Sequence, residues 1–513
     1  MVPIADGAAR WGGVQTPGRT DLGAFMGLSC RLHILEKSSI SISTIMKYFV
    51  PRALSIIALG LGVVACGGSD DGFQYPGAGG TSLPYEVMGR VDNAEKTELR
   101  NGSYGSSMAP HPTMEGYFYG LSDRGPNAAT EATRTPAGII FITPSYTPRI
   151  GLFKLTPEGK AELVSTILLK DPKGRPITGL PNKNFGGTGE TPYNLDGSVV
   201  SLDPDGDGIK GFDESGLDSE GLVALKDGTF WISDEYGPHI VHFDATGKEI
   251  ERINPFAADP RNKAGRTLPA ELSTRWPNRG MEGLTITPDG KTLVGMMQSN
   301  LYNPSSAVGS INLVRLVTVN IETGATAQYL YRQDAAGLAN SEIVALSATS
   351  FLVVERDTKF YGIDTGVVRK NIYKIDISQA TNIDRSNAAL RSGNALLTVN
   401  AANGLLVEGK TLELVVKDGG TADNYAAGWA QLAALGVKPI AKVLAYDAVA
   451  SQKYPHDKLE GMWVIDANRL AIINDADFVI APDNLGGIKQ KYLYDGKPDS
   501  NMLYVVKPIS PLF

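Results

Sequence analysis

Asp218-Ser219-Glu220-Gly221-Leu222-Val223-Ala224-Leu225-Lys226-Asp227-Gly228-Thr229-Phe230-Trp231-Ile232-Ser233-Asp234-Glu235 is the stretch that decides the fold. Residues 222–225 and 229–232 alternate as strand formers. Between them Lys226-Asp227-Gly228 supplies the glycine that a tight hairpin turn needs. The hairpin begins and ends on carboxylates. It returns as Met281-Glu282-Gly283-Leu284 running to Met297-Gln298, and as Ser341-Glu342-Ile343-Val344 running to Val354-Glu355-Arg356-Asp357. It returns again as Leu459-Glu460-Gly461-Met462 running to Asn474-Asp475-Ala476-Asp477. A repeated hairpin of this kind predicts an all-β chain folded as a β-propeller, its acidic strand ends gathered around one axis.

The spacing sets an expected blade count. Glu220 to Glu282 is 62 residues, Glu282 to Glu342 is 60, and Glu342 to Glu460 is 118, which leaves room for two units. A related unit runs from Ser103-Tyr104-Gly105-Ser106 to Leu121-Ser122-Asp123-Arg124. The sum is about six blades, or seven if residues 140–215 hold a full one. Residues 502–507 are expected to close the ring by pairing near the N-terminus, which removes an open sheet edge. Helical signals are few. The Ala-rich run 424–435, with Gly436 and Pro439 beyond it, predicts a short helix in a loop insertion.

The front of the chain reads as an export signal. Residues 46–52 form a short basic segment, and 53–65 form an apolar run of 13 residues, too short to span a bilayer comfortably. It ends in Val63-Val64-Ala65-Cys66, which resembles a bacterial lipobox in which Cys66 is lipidated; an ordinary cut after Ala65 is the alternative. Either cut exports the protein, and the lipobox would anchor it to the outer membrane or cell envelope. The expected organisation is an upstream extension over 1–45 (Met46 being the better start), a signal over 46–65, a lipidated Cys66 and Gly/Ser-rich tether over 66–84, and the propeller over 85–513. Beyond the leader Cys66 is the one cysteine, so no disulfide supports the fold. A formal charge of −7 and a pI near 5.5 argue against nucleic acid as a partner. Lipid is the expected membrane contact, and the protein is expected to be a monomer.

Two constellations carry chemistry. Asp203-Pro204-Asp205-Gly206-Asp207-Gly208, continuing to Glu214, has the carboxylate spacing of a calcium loop, with Asp203, Asp205, Asp207 and Glu214 as ligands. Pro204 and the lack of flanking helices set it apart from an EF-hand, and a solvated Asp/Gly loop is the alternative. The second is the recurrent acids. Glu220, Glu282, Glu342 and Glu460 start strands, while Asp234, Glu235, Glu355 and Asp475 end them. Carboxylates that converge repel unless a cation sits among them. Ca²⁺ is therefore the expected cofactor, with Arg124, Arg279, Arg356 and Lys458 placed to hold an anionic, phosphorylated small substrate. His239 is the expected general base, with Glu235 beside it. The alternative is structural, the acids tying blades together through salt bridges and backbone amides.

Taken together these phrases resemble the phytase-like family known as "esterase-like activity of phytase". The resemblance rests on Gly120-Leu121-Ser122-Asp123-Arg124-Gly125-Pro126-Asn127, on Asp218 to Leu222 with Trp231 to Pro238, and on Asn278-Arg279-Gly280-Met281-Glu282-Gly283-Leu284. It continues through Val353-Val354-Glu355-Arg356-Asp357 and Lys458-Leu459-Glu460-Gly461-Met462, in order over roughly residues 85–510. The chain departs from the pattern at Gln298, where other repeats carry an acid, and at Ile343, where they carry glycine. The resemblance implies a β-propeller that hydrolyses phosphoric or carboxylic esters. The function so expected is calcium-dependent hydrolysis of a phosphorylated small molecule, the alternatives being a non-catalytic scaffold and a metal-dependent lactonase or carboxylesterase.

Overall fold

The computed structural model describes residues 72–513 except 131–135, 137, 264, 421–424 and 484. The leader, the signal and Cys66 lie outside the described residues. Five four-stranded antiparallel sheets form the body. Blade 1 runs outward through Ser107–Pro110, Tyr117–Leu121, Arg149–Leu155 and Ala161–Leu168. Blade 2 holds Ser219–Ala224, Phe230–Asp234, His239–Phe243 and Glu249–Ile253. Blade 3 holds Met281–Ile286, Thr292–Met297, Leu313–Asn320 and Thr326–Arg332. Blade 4 holds Ala339–Ala345, Ser350–Arg356, Lys370–Asp376 and Ala441–Asp447. Blade 5 holds Met462–Asp466, Arg469–Ile473 and Met502–Val506, with Thr81–Ser82 as its outermost strand.

The first strands of the five blades pack against one another in a closed cycle. They enclose a central cavity of about 200 Å³ to which every blade contributes. This is a β-propeller. Ring closure comes from the two chain ends meeting, Thr81 pairing with Leu503 and Ser82 with Met502, as the C-terminal strand led one to expect. The last part of the segment read as a tether is thereby a strand of the body, and Phe73 and Tyr75 pack on its core.

Among the described residues five blades, not six or seven, account for the ring. Residues 140–215 hold the two outer strands of blade 1 and then an insertion, where Thr191–Tyr193 pairs with Gly138–Phe141. The 118-residue interval holds a single blade. Between its third and fourth strands lie a small sheet and the helices Leu412–Asp418 and Ala426–Ala434. The second of these is the helix expected from the Ala-rich run. Among the described residues no helix is long and apolar enough to cross a membrane.

Blades pack through both faces, so their strands read as near-continuous apolar runs rather than strict alternation. Val223 and Trp231 of blade 2, Leu284 and Val294 of blade 3 and Phe351 and Val353 of blade 4 belong to one core. Near the axis the blades come closer than side chains allow. A Cβ on Gly221 would lie 2.5 Å from the Leu284 nitrogen, and one on Gly283 would lie 2.7 Å from the Ile343 nitrogen. The glycine of each Glu-Gly pair is therefore a packing requirement at the blade seam. Gly221→Ala should lower unfolding free energy by about 1–3 kcal/mol. Urea denaturation with an unchanged midpoint would show that the seam is looser than this.

Candidate functional site

Cross-strand register aligns the blades residue by residue. The matched pairs Met108–Gly120, Leu222–Ile232, Leu284–Gly295, Ile343–Val353 and Met462–Ile472 are equivalent. Two residues before the first member of each pair stand Ser106, Glu220, Glu282, Ser341 and Glu460. Three residues beyond the second stand Asp123, Glu235, Gln298, Arg356 and Asp475. These ten residues form two rings at one end of the axis, and all but Gln298 are buried.

Strand alternation excludes their neighbours. Asp234 precedes Glu235, and its carboxylate accepts the backbone N–H of Asp218 and of Gly237, both at 2.9 Å. Glu355 precedes Arg356 and accepts the Tyr331 hydroxyl at 2.7 Å, Lys442 Nζ at 2.9 Å and the Asp334 N–H at 2.9 Å. Neither belongs to the axial cluster expected from the sequence. Glu342 is displaced for another reason. Blade 4 lacks the glycine of the Glu-Gly pair, so Ser341 takes the ring position and Glu342 falls where the glycine stands elsewhere. Its carboxylate lines the central cavity, accepting Ser107 Oγ–H at 2.5 Å and the Ile343 N–H at 2.9 Å.

Cations are distributed unevenly around the rings. Arg356 Nη2 bonds Glu460 Oε1 and reaches Glu282 Oε1 at 3.4 Å, while its Nε–H donates to Ser341 Oγ at 2.7 Å. Lys458 Nζ lies 3.0 Å from Asp475 Oδ2, 2.7 Å from Asp477 Oδ1 and 3.6 Å from Glu460 Oε1. Blades 4 and 5 are thus stitched by charge. Between blades 2 and 3 a neutral group does the work, the Gln298 amide donating to Glu235 Oε1 at 2.5 Å and to Glu282 Oε2 at 2.9 Å. On the blade 2 side Asp218, Glu220 and Glu235 bring carboxylate oxygens within 4.8 Å of one another. Arg124 meets only Asp218 there, at 3.3 Å, its Nη1 going to Asn278 Oδ1 at 2.8 Å. Glu220, 7% exposed, makes no hydrogen bond within the described protein.

The acids feel this shortage. Burial and then Glu282, Asp218 and Glu235 hold the Glu220 carboxyl well above the usual carboxylate range. Burial, Glu282 and Asp218 do the same to Glu235. Burial pushes Glu460 up to about 8 against the pull of Lys458 and Arg356. Hard oxygen donors with surplus negative charge and an unpartnered member suit a divalent cation. Glu282, Glu460 and Asp475 are already paired with Arg356 or Lys458, which narrows the candidate seat to Asp218, Glu220 and Glu235.

The other expected residues divide. His239 is fully buried, its Nε2 held at 2.9 Å from the Phe185 carbonyl and 3.1 Å from Asn182 Oδ1. Burial, then Arg252 and Arg261, hold its imidazole well below the usual range, and its Nε2 is engaged inside the protein rather than among the axial acids. Arg279 lies 4.6 Å over the Trp276 ring and makes no ion pair or hydrogen bond through its guanidinium among the described residues. Of the four expected substrate cations it alone makes no ion pair among the described residues. Asp203, Asp205 and Asp207 do cluster within 4.8 Å, but Glu214 turns away. Its oxygens accept N–H groups of Lys183, Asn184 and Phe185 at 3.2, 3.0 and 3.1 Å, so it does not complete the calcium loop. Asp218, Gln298, Ser106 and Ser341 were not among the expected site residues. All four lie inside the repeated phrases, and only cross-strand register reveals their equivalence.

The chain matches the family described as "Phytase-like: Esterase-like activity of phytase" over residues 105–478. A protein of Arthroderma benhamiae described as an uncharacterized secreted protein is 30% identical over 365 residues, 58% of this chain and 68% of that one. Among solved structures, a luciferin-regenerating enzyme superposes with a TM-score of 0.31 at 10% identity, covering 84% of this chain and 95% of the other. The PQQ-bound aldose sugar dehydrogenase of Streptomyces coelicolor gives 0.26 at 10% identity, covering 83% and 93%. Scores this low bear on neither fold nor activity, and the propeller rests on the strand pairing above.

The raised carboxyls have a consequence for stability. Asp234, pushed by burial to about 7, and Glu460, at about 8, both exceed their unfolded values of about 4. Between those limits the folded state binds more protons than the unfolded, so stability falls as pH rises. Carboxyls held low, such as Glu251 at about 2, lose their contribution only below about pH 4. In EGTA the melting temperature should therefore drop from pH 5 to pH 8, and calcium should flatten the drop. A thermal scan at pH 8 that EGTA leaves unchanged would argue against a cation in the cluster.

Proposed function

The chain belongs to the phytase-like family, and from that premise we propose that it is an exported, calcium-dependent hydrolase of small anionic phosphate esters acting at the acidic end of the propeller axis. The carrying observation is the uneven compensation of charge. Asp218, Glu220 and Glu235 crowd together with one arginine, while Glu220 has no partner. These three would hold the ion, which when bound would offset the ester's negative charge and polarise its oxygen. Arg279 would receive the anionic group. It lies in the loop that leads into Glu282, its guanidinium over the Trp276 ring, and its guanidinium N–H donors make no hydrogen bond among the described residues, free for bidentate contact. Gln298 would keep Glu235 oriented toward the ion. Export fits the signal at 46–65 and the relative described as secreted. Lipidation of Cys66 would tether the protein to the envelope, and the net charge of −7 disfavours nucleic acid.

A second reading has its own support. Arg356 alone links Glu282 of blade 3, Ser341 of its own blade and Glu460 of blade 5, as a purely structural clasp would. Purified protein assayed on phytate, p-nitrophenyl phosphate and p-nitrophenyl acetate, with and without EGTA, separates the readings. Calcium-dependent phosphate release supports the proposal, and acetate cleavage alone points to a carboxylesterase. Inactivity on all three, with a calcium-dependent melting temperature, points to a scaffold. On a phosphate substrate Arg279→Ala should cost a charged hydrogen bond, about 1.5–3 kcal/mol, or roughly 10- to 150-fold in KM. Unchanged KM would remove Arg279 from the site.

A further inference from the structure

Two consecutive positions of the inner ring hold a buried atom that is unsatisfied. Glu460 Oε2 and Ser106 Oγ have no hydrogen-bond partner within the protein, and each residue is 1% exposed. Glu220, on the far side of Ser106, has no side-chain hydrogen bond either, but it keeps some exposure to solvent. The rest of the ring differs. Ser341 and Glu282 are engaged by Arg356, and Glu282 also by Gln298. The two orphans thus lie side by side, on blades 5 and 1, whose first strands are neighbours in the ring. A buried polar atom without a partner costs free energy, and a pair of them in one place points to something bound between them.

The occupant must donate a hydrogen bond to one carboxylate oxygen and share one with a hydroxyl. Ser106 is the hydroxyl of the pair, and a hydroxyl can accept from a bound molecule while donating to a neighbouring carboxylate. Its position is rigid, because Gly105 is pressed so closely on the Asn474 carbonyl and the Asn501 amide of blade 5 that no Cβ would fit. Glu460 Oε1 is taken by Arg356, which leaves Oε2 as the free acceptor.

Resting on the hydrolase reading, we propose that Ser106 Oγ and Glu460 Oε2 together hold the water that attacks the ester. The water oxygen bonds to the phosphorus while its proton passes to Glu460 Oε2. The bond from phosphorus to the leaving oxygen breaks, and that oxygen takes a proton from solvent at the mouth. Glu460 then returns its proton to solvent. Ser106 aims the water and is itself unchanged.

The full chain tests this in two ways. A high-resolution crystal structure should show an ordered water bonded to both Ser106 Oγ and Glu460 Oε2; a dry contact, or a cation there instead, overturns the proposal. In kinetics Glu460→Gln should lower kcat on the order of 10²-fold or more. Ser106→Ala should lower kcat by roughly tenfold or more with KM unchanged. Ser106→Thr, which keeps the hydroxyl, should recover most of the loss, and the calcium-induced rise in melting temperature should be unchanged in Ser106→Ala. A Ser106→Ala variant within threefold of wild type overturns this inference alone. So does one that loses the calcium-induced rise together with activity, since Ser106 would then belong to the cation seat. A wild-type chain that hydrolyses none of the three substrates overturns both readings.

Discussion

Like charges brought out of water govern this molecule. A propeller with acidic strand ends must place them side by side where its first strands converge, and burial strengthens their repulsion by lowering the local dielectric. The ring closes because that repulsion is answered differently in each sector. Arg356 and Lys458 neutralise the blades 4 and 5 sector with full charges. Gln298 separates two carboxylates with a single neutral amide. In the sector of blade 2 Arg124 reaches only one of three acids. The blade 2 sector keeps two carboxylates that no cation meets, and that anion-rich remainder is the candidate site.

The repeat and its chemistry were legible in the chain because each hairpin carries its own turn glycine and its own acids. Closure by the C-terminal strand was legible as well, since an unpaired edge has to be covered. The blade count was not. The insertions between residues 377 and 440 and between 169 and 218 contain strand-like and helical segments of their own, and at the level of spacing they imitate missing blades. Distance along the chain counts residues, whereas a blade is defined by which strands pair.

The misread site residues share one cause. Sequence adjacency to an acid says nothing about the side of the strand on which a residue lies. Asp234 and Glu355 each precede a ring residue and face the opposite way, into backbone amides and a lysine. His239 follows the acids by four residues, yet it begins a strand whose side chains enter the interior between Asn182 and Phe185. Glu214 satisfies the spacing of a calcium loop but is drawn off by three backbone N–H groups, which together outweigh a solvated position.

Departures from the repeat concentrate where the chemistry is expected, and physics gives a reason. Perfect five-fold repetition would put ten equivalent acids around the axis, a charge that no single ion could offset. Replacing one acid by Gln298, one by Arg356 and two by serines removes charge and adds a cation, leaving an unequal ring. Loss of the glycine in blade 4 has the same effect by geometry, moving Glu342 off the ring and onto the wall of the cavity, where Ser107 receives it. A symmetric ring could bind an ion only on its axis and would offer a substrate five equal approaches. The unequal ring has one acid-rich side, one guanidinium at Arg279 without an ion pair among the described residues, and one unsatisfied hydroxyl at Ser106. Direction, which the proposed hydrolysis of an asymmetric ester would require, enters this propeller through the residues that fail to repeat.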